Sequence, residues 1–89
     1  MRNGLDNATL TGLFAWTEQE FDERLQGSAI RRIGHERWLR NIAVGLGNAA
    51  GAGLAGDAGI VAALDARAAH PSPLVREHVA WALARHAGA

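Results

Sequence analysis

Apolar residues recur along this chain at three- and four-residue spacing, the period of an α-helix, and strand-like alternation is nearly absent. Leu10, Leu13 and Phe14 mark a short first helix that starts from Asp6 or Asn7. A full N-terminal signature follows. Thr17 is the cap, Glu20 three residues on completes a capping box, and Trp16 before the cap can staple onto Phe21. Glu18 and Glu20 suit the positive first turn and Arg24 the negative end, so a second helix is predicted over 18–26, stopped by a left-handed Gly27. Ser28 caps a short turn through Ala29 to Ile33, which Gly34 ends.

A longer helix is predicted over 35–50. Trp38, Leu39, Ile42, Ala43, Leu46 and Ala49 form its apolar face, while Arg37, Arg40, Asn41 and Asn48 lie on another. Gly51 to Gly56 reads as a loop. Asp57 caps a fifth helix that packs Ile60, Leu64 and Ala68 and finishes near His70. Pro71-Ser72-Pro73 breaks the chain and restarts it, with Ser72 as cap and Pro73 at the first helical position. The last helix carries Val75, Val79, Ala82 and Leu83, with Trp81 at its flank, and frays after His86.

Two of these helices resemble each other. Ile42-Ala43-Val44-Gly45-Leu46-Gly47 matches Val79-Ala80-Trp81-Ala82-Leu83-Ala84 at an offset of 37 residues. Small residues there let a neighbouring helix approach closely, and helix pairs repeating at roughly forty residues mark HEAT and armadillo solenoids. The expected fold is all-α: five to six short helices in antiparallel pairs, stacked right-handedly as in a HEAT or armadillo array. Residues 1–34 would be leading helices with a basic turn and 35–89 HEAT-like helices, together one domain. Solenoids usually need three or more repeats, so two units are expected to be one end of something larger.

The composition narrows the chemistry. At 89 residues and 48% hydrophobic, the chain is long enough for one modest core and too apolar to be disordered. No apolar run reaches the roughly twenty residues that cross a bilayer, and no signal peptide opens the chain, so a cytoplasmic location without membrane contact is expected. With no cysteine, thiol catalysis and cysteine ligation of zinc or iron–sulfur clusters by this chain are excluded. Four histidines show no His-Glu-x-x-His spacing, so no metal site is expected. The glycines from Gly45 to Gly53 fall inside or after a helix, where the dipole is wrong for a nucleotide phosphate. The carboxylates have capping or solvation roles, and Ser28 lacks a relay partner, so no catalytic residue is expected.

Charge is balanced overall at nine against nine, but unevenly along the chain. Residues 1–23 carry a net −4 and residues 24–40 a net +4, the latter from Arg24, Arg31, Arg32, Arg37 and Arg40 against Glu36. In one reading this is a solvated face whose charges answer the acidic second helix. In the other it is a phosphate-tracking surface: Arg37, Arg40 and Asn41 share a helix face, and the Ser28 turn adds backbone N–H groups with Arg31 and Arg32. Ser28, Arg31, Arg32, Arg37, Arg40 and Asn41 are therefore the candidate contacts to a phosphodiester backbone. Trp38 is read as core and Trp16 as a staple.

These residues also form a recognisable pattern. Phe21, then Gly27-Ser28-Ala29-Ile30-Arg31-Arg32, Leu39-Arg40-Asn41, Leu46-Gly47-Asn48 and Val75-Arg76-Glu77-His78-Val79-Ala80-Trp81-Ala82-Leu83 resemble the C-terminal, HEAT-like region of the epoxyqueuosine reductase family. The resemblance runs from about residue 10 onward and implies a piece of a longer protein. It implies a parent oxidoreductase that reduces epoxyqueuosine to queuosine at the wobble position of certain transfer RNAs, the last step of queuosine biosynthesis. Cobalamin and two 4Fe-4S clusters would belong to domains preceding this region. The implied partners are those catalytic domains and the anticodon stem-loop of tRNA, with Arg32, Arg40 and Asn41 matching the family's motif positions. The alternatives are a HEAT-repeat protein-interaction module and a purely structural brace.

Overall fold

Three of the α-helices and one short turn begin at a residue whose side chain holds a first-turn amide, whereas the helix after Gly34 starts without a side-chain cap. In the computed structural model, which describes residues 7–87, five α-helices run Asn7–Phe14 (α1), Glu18–Arg24 (α2), His35–Asn48 (α3), Ala58–Asp65 (α4) and Pro73–His86 (α5). Two 3-10 turns cover Ala29–Ile33 and Ala49–Ala52, and no strand occurs among the described residues. The Thr17 capping box forms in both directions: Glu20 N donates to Thr17 Oγ1 at 3.1 Å and Thr17 N to Glu20 Oε1 at 2.9 Å. Ser28, Asp57 and Ser72 accept from Ile30, Ile60 and Val75 amides, as their positions predict. Gly27 and Gly34 take φ of 81° and 87°, the left-handed region that makes glycine the residue for these two stops. Asp6, the alternative start for α1, lies outside the described residues.

Three expectations are corrected. First, α2 ends at Arg24, two residues early, because the chain is already turning towards Gly27. Second, α4 ends at Asp65 rather than near His70. The amides of Arg67, Ala68 and His70 bond three residues back in tightened turns, and Ala68 is exposed instead of packed. Third, α3 ends at Asn48 rather than near Ala50, and a 3-10 turn over Ala49–Ala52 leads into the glycine-rich loop while Ala49 stays buried as its helix-face position predicts.

Leu39, Ile42, Ala43 and Leu46 of α3 meet Val75, Val79 and Ala82 of α5 over Phe14, Ile60 and Leu64 from α1 and α4. Burying each larger side chain stabilises the fold by about 1.5–3 kcal/mol. The two matched helices pack on each other with like ends together. Glu36 at the start of α3 accepts a hydrogen bond from the Ser72 hydroxyl at the cap of α5, and near the other end Leu46 and Gly47 meet His86 and Arg85. α3 and α5 are therefore parallel neighbours. α1 packs on α3 and α4, and α4 packs on α5, so the helices form two layers, α1 with α4 and α3 with α5. α2 and the 29–33 turn are inserted between α1 and α3 and lean on α3.

The helix ends that this stacking buries are satisfied by side chains from the next element. The last carbonyls of a helix have no partner within it. Arg85 Nε donates to Gly47 O at 3.1 Å, and His86 Nε2 lies 2.7 Å from Leu46 O, closing the end of α3. At the end of α1, Arg67 Nε donates to Phe14 O at 3.2 Å and its Nη2 to Trp16 O at 2.8 Å. His35 Nε2 lies 2.9 Å from the same Trp16 carbonyl. Burial pushes the Arg67 guanidinium below its ordinary value, but its placement at a helix C-terminus is favourable for a cation.

Candidate functional site

The basic turn and the first half of α3 present the six candidate residues in two groups. Ser28, Arg31 and Arg32 line an open concavity of about 510 Å³ with Asp22, Gly27 and Ala29. Arg37, Arg40 and Asn41 stand outside it on α3, opposite the side that buries Leu39, Ile42 and Leu46. The turn is less rich in open amides than the sequence suggests. The Ile30 N–H is taken by the Ser28 hydroxyl and the Arg31 N–H by the Ser28 carbonyl.

The acidic helix answers only part of the positive charge. Arg31 Nε stands 3.4 Å from Asp22 Oδ1, with side chains 46% and 49% exposed, a geometry worth about 0–1 kcal/mol. Arg24 instead lies over the Trp16 indole, 5.3 Å from its centroid. Glu20 is committed to the capping box, and Glu23 accepts from Gln19. Arg32 and Arg37 are exposed, with no side-chain hydrogen bond or ion pair among the described residues. Arg40 Nε donates to Asn41 Oδ1 at 2.8 Å, which joins these neighbours and engages only one guanidinium nitrogen. Among the described residues, the local +4 of the sequence is therefore mostly without carboxylate partners.

An aromatic cluster holds that surface in place. Trp16 stacks on Trp38 with centroids 5.6 Å apart, and Phe21 tilts against Trp38 at 5.3 Å. The staple expected between Trp16 and Phe21 is thus made through Trp38, which also donates to Leu13 O at 3.4 Å. Trp38 is half-buried in this packing, in line with its reading as core. Ile30 and Ile33, on the basic turn itself, are 46% and 40% exposed.

A second concavity, about 590 Å³, opens where α3 and α5 begin, between His35, Glu36, Arg67, His70 and Ser72. The His35 and His70 rings are 6.5 Å apart. Among the described residues no group of three or more His, Cys, Asp or Glu could hold a metal ion. Burial, then the charges of Arg67, His35 and Arg76, hold His70 below the ordinary histidine range, against an opposing pull from Glu36. The Ser72 N–H donates to His70 Nδ1 at 3.0 Å, a bond that needs that nitrogen unprotonated. Because the folded value is depressed, this stabilisation is complete above the unfolded value of about 6.5 and is lost as the pH falls below it. Urea midpoints between pH 7.5 and 5 should therefore fall more for the parent than for His70→Gln. Parallel pH profiles would show that His70 does not drive the change.

Sequence reasoning missed Arg67 and His86 as tethers. Each is a polar residue near a helix end, but its carbonyl partners lie 51 to 53 and 40 positions away. It also left Trp81 as a flank, whereas Val44, Glu77, His78 and Trp81 line a groove on the outer side of the α3–α5 layer. Among the described residues no helix is long and apolar enough to cross a membrane.

No family model matches the chain, and no solved structure matches it. An epoxyqueuosine reductase of Burkholderia pseudomallei is 63% identical over 93% of this chain and 22% of its own length. Those of Xanthomonas campestris pv. campestris and Escherichia coli are 62% and 51% identical over 96% and 94% of the chain, which covers 22% and 21% of each. The chain spans about a fifth of the length of these curated relatives. Over nearly its whole length, then, the chain is similar to epoxyqueuosine reductases, consistent with a C-terminal part of such a protein.

Proposed function

We propose that this chain is the tRNA-docking region of an epoxyqueuosine reductase and takes no part in the chemistry. The observation that carries the reading is the exposure of Arg32 on the basic turn and of Arg37 on α3 without a carboxylate partner among the described residues, with Arg40 and Asn41 on the same helix as Arg37. Guanidinium forks of this kind match phosphate oxygens, and phosphate contacts dominate affinity for nucleic acid. The expected partner is the anticodon stem-loop of a tRNA, with Ser28 and Arg31 lining the turn concavity beside Arg32.

The two-layer arrangement, with parallel α3 and α5 as equivalent helices of successive units, fits a HEAT-like stack at the end of a longer protein. The chain has no cysteine to ligate a 4Fe-4S cluster, so the parent's two clusters are assigned to polypeptide outside it, and cobalamin is placed with them by the resemblance alone. A cytoplasmic location, where tRNA resides, follows from the same reading.

The test is a salt series with the full-length enzyme. Arg32→Ala combined with Arg40→Ala should weaken tRNA binding about tenfold or more and flatten the plot of log affinity against log salt by about one to two units. Unchanged affinity at every salt concentration overturns the reading. Ile30 and Ile33, exposed beside the arginines, favour a second, bracing role against the catalytic domains. Deleting this region would then lower the stability of the surviving protein as well as its tRNA affinity.

A further inference from the structure

On the outer side of the α3–α5 layer, Val44, Glu77, His78 and Trp81 line an open groove of about 420 Å³. Trp81 is 40% exposed, the most open of the three tryptophans, since Trp16 and Trp38 are half-buried against each other. Its indole is fixed from two sides. The benzo edge lies so close to Gly47 that a Cβ there would sit 2.4 Å from Cζ3. The Arg85 guanidinium lies 5.5 Å from the ring centroid while its Nε is bonded to Gly47 O. An aromatic surface already held in place loses little freedom when a flat partner stacks on it.

The groove continues the arginine surface. Arg37, Asn41 and Val44 follow one another at four- and three-residue spacing on the side of α3 opposite its buried face, and Arg37 to Val44 spans about 10 Å along the axis. A phosphate backbone held by Arg37 and Arg40 would bring its neighbouring nucleotides to Val44 and Trp81. The groove itself is unsuited to phosphate. The Glu77 carboxylate repels an anion but accepts from a base N–H, and Val44 offers an apolar contact. His78 donates through Nδ1 to Leu74 O, so that in the neutral ring Nε2 is an acceptor.

We infer that Trp81 is a stacking platform for an unpaired base of the RNA whose phosphates Arg37 and Arg40 hold. This rests on the docking reading above and extends it from backbone attraction to a base contact. Stacking on an aromatic side chain tolerates any base and does not depend on counterion release, so it has a signature separate from the arginines.

The experiment measures binding of a synthetic anticodon stem-loop RNA to the full-length enzyme across a salt series, by fluorescence anisotropy. Three variants are compared: Trp81→Leu, Trp81→Phe, and Arg37→Ala combined with Arg40→Ala. Leucine keeps an apolar contact with Gly47 but offers no ring, and circular dichroism melting verifies that each variant is folded. Trp81→Leu should bind about 5- to 100-fold more weakly with an unchanged salt slope, while Trp81→Phe stays within about threefold of the parent. The arginine pair should lose affinity and show a shallower slope. If Trp81→Leu binds like the parent while the arginine pair is weakened, the stacking inference is overturned and the docking reading stands. Equal losses for leucine and phenylalanine also overturn it, since they point to packing rather than a ring. If all three bind like the parent, the docking reading fails and takes the inference with it.

Discussion

Gly47→Ala is expected to lower the melting midpoint by about 10 °C, whereas Gly45→Ala, two residues earlier on the same helix, raises it by about 5 °C. In an exposed helix both changes would help, since alanine is favoured over glycine by about 1 kcal/mol. At Gly45 that gain survives. The added methyl meets only Leu10 Cδ1 at 3.6 Å, an ordinary contact. At Gly47 the methyl would sit 2.4 Å from Trp81 Cζ3 and 3.1 Å from the Ala82 Cα. The second of these is backbone and cannot rotate aside. α3 and α5 must separate, and overpacking of this kind costs about 1–3 kcal/mol, more than the propensity gain. Thermal unfolding followed by circular dichroism decides the matter. Equal stabilisation by both substitutions would mean that the two helices do not approach as closely as described.

His86→Leu is expected to destabilise the fold by about 2–4 kcal/mol, although leucine is apolar and the site is buried. The Gly56 N–H donates to His86 Nδ1 at 3.1 Å. That nitrogen must therefore be unprotonated, and Nε2 carries the hydrogen directed at Leu46 O at 2.7 Å. One neutral imidazole thus closes the end of α3 and ties the glycine-rich loop to α5. Leucine leaves the buried Leu46 carbonyl without its donor, costing about 1–3 kcal/mol, and the Gly56 amide on its exposed loop without its acceptor, which costs less. His86→Gln, with both a donor and an acceptor, should recover part of the loss. In denaturant titrations the leucine variant should show the larger fall, with faster hydrogen exchange at the Gly56 amide. A leucine variant as stable as the parent would remove His86 from the tethers.

The helix starts were legible because capping is local. Thr17, Ser28, Asp57 and Ser72 each act on an amide two or three residues away, so spacing alone reveals them. Helix ends were less legible. The run predicted to continue past Asp65 carries good helix formers, Ala66, Ala68 and Ala69, yet Arg67 is drawn into bonds with Phe14 and Trp16 carbonyls and the chain turns. A tertiary contact decided that boundary over local propensity.

The candidate surface divides in the same way. That Arg37, Arg40 and Asn41 share a face of α3 follows from helical spacing. That Arg31 is paired with the acidic helix while Arg32 and Arg37 stand open among the described residues could not be read from charge order, because it depends on how the turn folds back across α2.

By itself the sequence determined the helical class, the caps, the apolar faces, the exclusion of cysteine chemistry and the resemblance to one family. All of these depend on residue identity and short-range period. Only the tertiary structure decided that the two similar helices lie side by side and parallel, that Gly47 is where they touch, and that Trp81 stays in the open. Such outcomes depend on how three-dimensional surfaces fit between residues some 35 to 50 positions apart, and no local rule of spacing carries that information.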